Sequence, residues 1–566
     1  MARRSVDRRK VLTALAATPA GAAVASGAAA QARTSWDLEV DFVSLGGGVG
    51  GLSGAIAAHE AGLQALVVEK SAKMGGVAAL SLGQLWVAGN HVAEREGIKD
   101  DWKKGLDYVR WMGGGYSHEH LAETLCRNAP DVIRWFEEKA RVKWIVYKDY
   151  PDYFYPMGTG SVASGRYLEV APIAASELGG WAAKTRKGRQ ATLTNEETHA
   201  AGAAALSRAR QAGDVRTMGA GLGAYLTRAC LDRNIPLMTD AVTEELVRDG
   251  DRVVGLVVRQ GGRTLRIRAR RGVLIAVSGY DWTPAFTHSY DVRPGSGTLT
   301  HPAIAGDHLR LAGSLGAQVL SISARPQWVG LNFRSGQTDD EGAPIYRSIS
   351  TRNPFIIMVN RHGRRFCDES WGPSYVGALS HTDITAPGVA NQPFWAVFDA
   401  AHQQRFPMHR SATDPLMPEG VLQANTLAEL ARLAGIDADG LVAQVAEFNR
   451  HAAKGEDPAF GRGTRPQGRA NGDPTHKPNP NLGPLTEAPF YAVKLEAASI
   501  GIPTAGLVGD VDARVLDWND RPIPGLYVAG NSMAMLDLGI GYNSGLGNTR
   551  GMVFGYLAAG HAKGSA

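Results

Sequence analysis

Three glycines near the start of the chain have the type and spacing to hold a pyrophosphate. Gly46, Gly48 and Gly51 stand at G-x-G-x-x-G. The first allows a tight turn, the second lets backbone approach phosphates, and the third lets helix and strand pack closely. A short apolar run before them (Phe42, Val43, Leu45) reads as a buried strand. A helix from about Leu52 to Ala61 follows, ended by Gly62. Its N-terminal N–H groups offer partial positive charge to phosphates. A second strand, Leu66 to Val68, closes with Glu69-Lys70, where the Glu69 carboxylate can accept a ribose hydroxyl. Asp41 to Lys70 thus reads as a complete βαβ unit for a dinucleotide.

Other stretches add donors to that unit. Gly75-Gly76 can bring backbone amides to a ligand, and Ser81 can border a flavin ring. Gly525 to Asn531 reads as a strand ending in Ala-Gly-Asn, and ligands in doubly wound folds lie beyond the carboxyl ends of strands, so Gly530 and Asn531 belong over the same cofactor. G-I-G-Y-N-S-G-L-G-N-T-R-G (Gly539–Gly551) then leads straight into a helix. Its N-terminus could stabilise negative charge, and its loop amides could hold a substrate oxygen. Two separate Gly-rich helix starts favour FAD over NAD. The run K-W-I-V-Y-K-D-Y-P-D-Y-F-Y-P (Lys143–Pro156) carries five Tyr or Phe within nine residues and reads as an extended aromatic loop. It is either a lid packed on the core or a hydrophobic substrate wall with phenolic hydroxyls.

The elements that must position these groups follow from period and punctuation. Asp100–Lys139 is mostly helical, with a break at Gly113–Gly115. Strands at about 235–238, 242–248, 252–259 and 264–270 form a small meander, and Gly272–Gly279 returns the chain to the first sheet. From about Asp281 long loops, Trp and Pro suggest an inserted domain, and Gly461–Pro484 is a connector. P-F-Y-A-V-K-L (Pro489–Leu495), the strand at Pro522 and a helix from Thr549 to His561 then rebuild the first domain. The expected fold is α/β: a discontinuous Rossmann-like FAD-binding domain (33–280 and 487–566) with an inserted α+β substrate or capping domain (281–486).

With 566 residues, 44% hydrophobic and 20% charged, the chain has the composition of a globular protein with more than one structural unit. Residues 1–32 resemble a twin-arginine export signal, with Arg8-Arg9, an Ala-rich apolar stretch and Ala-x-Ala cleavage sites. The protein is therefore expected to be exported to the periplasm. That segment holds five basic residues and one acid, so most of the +5 net charge lies in it. The basic balance thus gives no ground for nucleic acid binding. Cys126, Cys230 and Cys367 have no metal or haem spacing, so no metal is expected. No later run reaches the length of a membrane span.

Taken together, the motifs identify the chain as similar to the FAD-dependent fumarate reductase/3-ketosteroid dehydrogenase superfamily, with the 3-ketosteroid Δ1-dehydrogenase branch the nearer. The resemblance is carried by G-G-G-V-G-G-L, P-D-Y-F-Y-P with S-G-R-Y-L-E, H-G-R-R-F-C-D-E (His362–Glu369), P-F-W-A-V-F-D, G-D-P-T-H-K-P-N-P-N-L-G-P-L, P-I-P-G-L-Y-V-A-G-N and F-G-Y-L-A-A. It implies desaturation beside the carbonyl of a hydrophobic ketone, with electrons passed on to an unidentified acceptor. It also implies Tyr542 as the phenol that polarises the ketone, with Gly545 or Gly547 supplying an N–H. Tyr375 would be the base that takes the adjacent proton, assisted by Tyr153 or Tyr155. Ala497–Gly506 departs from the branch's usual Gly/Thr/Lys-rich stretch, which leaves a smaller cyclic ketone open as substrate. A fumarate-reductase-like enzyme would place arginines where Pro373 and Gly545 stand, and paired carboxylates need such partners.

Overall fold

The computed structural model describes residues 35–188, 192–200, 202–293, 296–385, 387–408 and 417–565. The leader read from residues 1–32 lies outside them. Strand β1 (Leu38–Leu45), helix α1 (Val49–Glu60) and strand β2 (Ala65–Val68) form the expected βαβ unit, with β1 and β2 parallel. All four residues of β2 are buried, as they are in parallel strands covered on both faces.

The first sheet has eight strands. Five are parallel, in the order Pro522–Val528, Arg263–Ile275, β1, β2 and Leu237–Met238. Arg514–Leu516 adds an antiparallel edge. Ala241–Asp249 pairs antiparallel with Arg252–Gln260, which pairs antiparallel with the start of Arg263–Ile275. Sequence reading divides that last stretch into a meander strand and a buried return strand. It is one strand of 13 residues, whose exposed first half serves the meander and whose buried second half lies beside β1.

The helix Leu546–Gly564 closes one face of this sheet by packing on α1 through glycines. A Cβ on Gly54 would meet Gly555 O at 3.4 Å, and one on Gly555 would meet Gly50 O at 2.6 Å. The helices are this close because neither carries a side chain at the crossing.

A second, antiparallel sheet follows the order Pro344–Ser348, Val329–Thr338, Phe490–Ser499, Phe394–Phe398, Ile356–Asn360, and Val421–Ala424 also pairs with Phe490–Ser499. Here the structure corrects the sequence reading. The P-F-Y-A-V-K-L strand does not rebuild the first sheet; it runs through the middle of the second. Its buried residues, including Ala492, Val493 and Leu495, fit a strand paired along both edges, and an apolar run does not announce which sheet it joins. The return to the first sheet comes with Arg514–Leu516 and Pro522–Val528.

Candidate active site

A cleft of about 1440 Å³ runs between the carboxyl ends of the first sheet and the second sheet. That exceeds the usual span of small-molecule pockets and leaves room for a dinucleotide and a substrate together. Its lining includes Gly46, Gly48, Glu69, Lys70 and Gly76, and also Ser81, Gly530 and Asn531. Gly46 has φ +104°, and a Cβ there would lie 2.3 Å from Ala276 O. A Cβ on Gly76 would lie 2.8 Å from Gly48 Cα, so two backbone loops meet where only glycines fit. Gly48 caps α1 and Gly545 caps Leu546–Gly564, both without a side-chain acceptor and with no acid in the first turn. Two uncapped helix N-termini therefore face the cleft, which suits the phosphates and the electron-rich ring of FAD.

Several cofactor candidates act by holding this cradle. Glu69 accepts from Gly47 N at 2.6 Å and Ser71 N at 2.7 Å, so its carboxylate first fixes the glycine turn. A carboxylate has about four acceptor sites, which leaves capacity for a ribose hydroxyl. Lys70 pairs with Asp307 at 3.0 Å. Gly51 and Gly75 do not line the cleft. A Cβ on Gly51 would meet Gly46 O at 1.9 Å, and Gly75 N donates to Gly47 O at 2.7 Å. Ser81 donates to Ala78 O and accepts from Gly83 N, which shapes its loop. Asn531 donates to Gly501 O, while its Oδ1 is buried without a partner.

Tyr153, Tyr375 and Tyr542 line the same cleft, with Gly545 and Gly547. Tyr542 lies on the loop before the last helix, and its hydroxyl is 4.0 Å from where a Gly547 Cβ would stand. Trp328 links the phenols: its ring centroid is 5.0 Å from that of Tyr542 and 6.2 Å from that of Tyr153. The backbone of Tyr153 is held on both sides. Its N–H donates to Asn543, the neighbour of Tyr542, and its carbonyl accepts from Trp371, in the turn before Tyr375. Tyr375 sits in the short helix Gly372–Ala378, which Pro373 starts. Tyr155 does not line the cleft, so of the two candidate assistants only Tyr153 faces it. The aromatic loop divides its labour: Phe154 packs edge-on against Trp111 and Trp371, and Tyr150 stacks on Tyr147.

Burial raises both phenols, and an arginine opposes it at each. Burial pushes Tyr542 up to about 12, partly offset by the buried Arg325. Burial also raises Tyr375, but the Arg352 guanidinium opposes it by charge and by a side-chain hydrogen bond. Arg352 and Trp328 line the cleft and were not legible in the sequence. Arg352 lies in S-T-R-N-P, a turn signal without a chemical motif, and no spacing links Trp328 to the tyrosines. Arg550, near the expected place of a carboxylate-binding arginine, is spent on Asp537 and three carbonyls. Pro373 and Gly545 offer no cation. Among the described residues no group of His, Cys, Asp and Glu could hold a metal ion, and no helix is long and apolar enough to cross a membrane.

The sheet, the glycine cradle and the two open helix ends define a nucleotide-binding α/β oxidoreductase. Residues 41–549 match the family described as FAD binding domain. The chain is 34% identical to the 4-oxocyclohexanecarboxylate 2-dehydrogenase of Sinomonas cyclohexanicum, over 92% of each chain. It is 31% identical to the 3-oxosteroid 1-dehydrogenase of Mycolicibacterium smegmatis, over 92% of this chain and 96% of that one. The crystal structure of 3-ketosteroid Δ1-dehydrogenase from Sterolibacterium denitrificans, in complex with 1,4-androstadiene-3,17-dione, superimposes with a TM-score of 0.84 at 29% identity, covering 93% of this chain and all of that one. The chain belongs to the FAD-dependent fumarate reductase/3-ketosteroid dehydrogenase superfamily, and is an FAD-dependent oxidoreductase acting on CH–CH groups.

Proposed function

We propose that this chain introduces a C=C bond next to the carbonyl of a hydrophobic cyclic ketone. The observation that carries the reading is the placing of two phenols in one cleft, Tyr542 beside the start of the last helix and Tyr375 beside Arg352. The Tyr542 hydroxyl and a backbone N–H donate to the ketone oxygen. Gly547 suits that N–H, because it is the second residue of its helix, where no intrahelical acceptor exists. Both donors strengthen as negative charge develops on the oxygen, which acidifies the α-carbon. Tyr375 takes the α-proton, and Tyr153 stands in the same wall. Bound FAD supplies the acceptor for the hydride that leaves the neighbouring carbon. Trp328 beside Tyr542 and Ile502 beside Gly547 give the wall an apolar lining that keeps water from the reacting atoms.

The substrate's ring system is open to two readings. The relatives named for steroids favour a polycyclic ketone. The relative named for 4-oxocyclohexanecarboxylate favours a single ring. Anaerobic mixing with a panel of 3-ketosteroids and cyclohexanones tests both. The expected result is bleaching of the oxidised flavin by one class, abolished in Tyr375→Phe. Bleaching by no ketone, with reduced flavin reoxidised by an unsaturated acid, would overturn the reading. The export reading of residues 1–32 belongs to the same proposal; a reporter fused behind those residues should reach the periplasm only with Arg8 and Arg9 intact.

A further inference from the structure

Arg352 is the cation that stands among the phenols of the cleft. Its charge is coupled to Tyr375, Tyr150 and Tyr153, and no carboxylate among the described residues pairs with it. Its Nε has no hydrogen-bond partner. Other cations of the cleft wall are neutralised: Lys70 by Asp307, Lys73 by Asp340, Arg186 by Glu341 and Lys187 by Asp214.

The turn that carries Arg352 is built rather than incidental. Arg462 donates to the carbonyls of Thr351 at 2.9 Å and Asn353 at 2.7 Å, on either side of it. Asn481 donates to the Arg352 carbonyl at 2.8 Å. Thr351 Oγ1 donates to Glu369 O at 2.9 Å. Glu369 in turn takes two bonds from Arg365, which also grips Asp457 at 2.9 Å. From the same segment Asp368 accepts from Ser370, and its N–H donates to Ser374, next to Tyr375. One buried network, fed by H-G-R-R-F-C-D-E, therefore positions the Arg352 turn on one side and the Tyr375 helix on the other.

We propose that Arg352 is a positioning residue for base catalysis: held by this network beside Tyr375, its guanidinium, with no carboxylate partner among the described residues, stabilises the phenolate that takes the substrate's α-proton. The inference rests on the assignment of Tyr375 as base. In the step, the α C–H bond breaks, the proton passes to the Tyr375 oxygen, and the bond's electron pair forms the new C=C bond as hydride leaves for FAD. A free phenol titrates near 10, too high for a base near neutrality. Burial, with Tyr150 and Cys367 nearby, raises Tyr375 further, and Arg352 is the charge that opposes it. A carboxylate partner would cancel that effect.

The test uses the FAD-loaded enzyme and Arg352→Gln, with Arg352→Lys as the charge-conserving companion. With a ketone that bleaches the flavin, kcat/KM rises with pH as the base ionises. Arg352→Gln should move that rise to higher pH. At a fixed pH below the rise, the rate should then drop about tenfold for every pH unit by which the profile moves. Arg352→Lys should fall between, and carries the test if the Gln variant does not fold. The tyrosinate absorbance lost on Tyr375→Phe should likewise appear at higher pH in Arg352→Gln. An unmoved pH profile with a uniform loss of rate would overturn the proposal. So would a rise in KM confined to ketones bearing a carboxylate, which would make Arg352 a substrate anchor. If Tyr375→Phe retained full rate, the base assignment itself would fall; if only the movement of the pH profile were missing, that assignment would stand and this inference would not.

Discussion

At Tyr542 burial keeps the phenol protonated, and the hydroxyl sits against the first turn of the last helix. Tyr542→Phe removes a donor that strengthens as the ketone oxygen gains charge. The expected outcome is a loss of about 10²–10³ in kcat with FAD content unchanged, read by stopped-flow flavin reduction. The pH dependence has a definite sign. A phenol raised to about 12 remains a donor below that value, so the rate should not fall on the alkaline side until pH approaches about 12. Tyr542 and Tyr375 could be singled out in the sequence because they sit near motifs. Arg352 and Trp328 could not, since their roles come only from what the fold sets beside them.

At the scale of elements, α1 and the last helix depend on a glycine contact. Gly555→Ala would place a Cβ 2.6 Å from the Gly50 carbonyl, two residues from the cleft-lining Gly48. The expected cost is about 1–3 kcal/mol, typical of overpacking, together with weakened FAD retention. Gly560→Ala on the same helix meets nothing within 4 Å and should be neutral or stabilising by roughly 0.5–1 kcal/mol. Thermal unfolding and flavin fluorescence distinguish the two. The βαβ unit was legible because strand, glycine spacing and helix follow one another locally. The partners of Phe490–Ser499 were not. Its neighbours Val421–Ala424, Phe394–Phe398 and Val329–Thr338 all lie far upstream in the chain, and nothing in its own pattern names them.

At the scale of the molecule, the buried network around Glu369 ties the second sheet together behind the cleft. Burial alone would raise the Glu369 carboxyl, but Arg365 and then Arg462 outweigh it and hold it below the usual range. A lowered carboxyl contributes stability above its unfolded value and loses it as pH falls through the folded one. Glu369→Gln should therefore cost about 3–5 kcal/mol near neutrality, because Arg365 and Arg462 lose a shared buried counter-charge and, among the described residues, only Arg365 keeps a second, Asp457. The difference from the parent should narrow on acidification, as followed by thermal unfolding across pH.

The cradle also has an order in time. Its first glycine turn ends at Gly51, while the strand Pro522–Val528 and the helix that packs on α1 lie in the last tenth of the chain. During synthesis the early βαβ unit must wait, exposed on the face that Leu546–Gly564 will cover, until almost the whole polypeptide has left the ribosome. Flavin capture is then a report of completion: a chain stopped after residue 521 should be made without yellow colour, however well its earlier segments fold. Comparing the flavin absorbance of that truncated chain with the parent's would read the order directly.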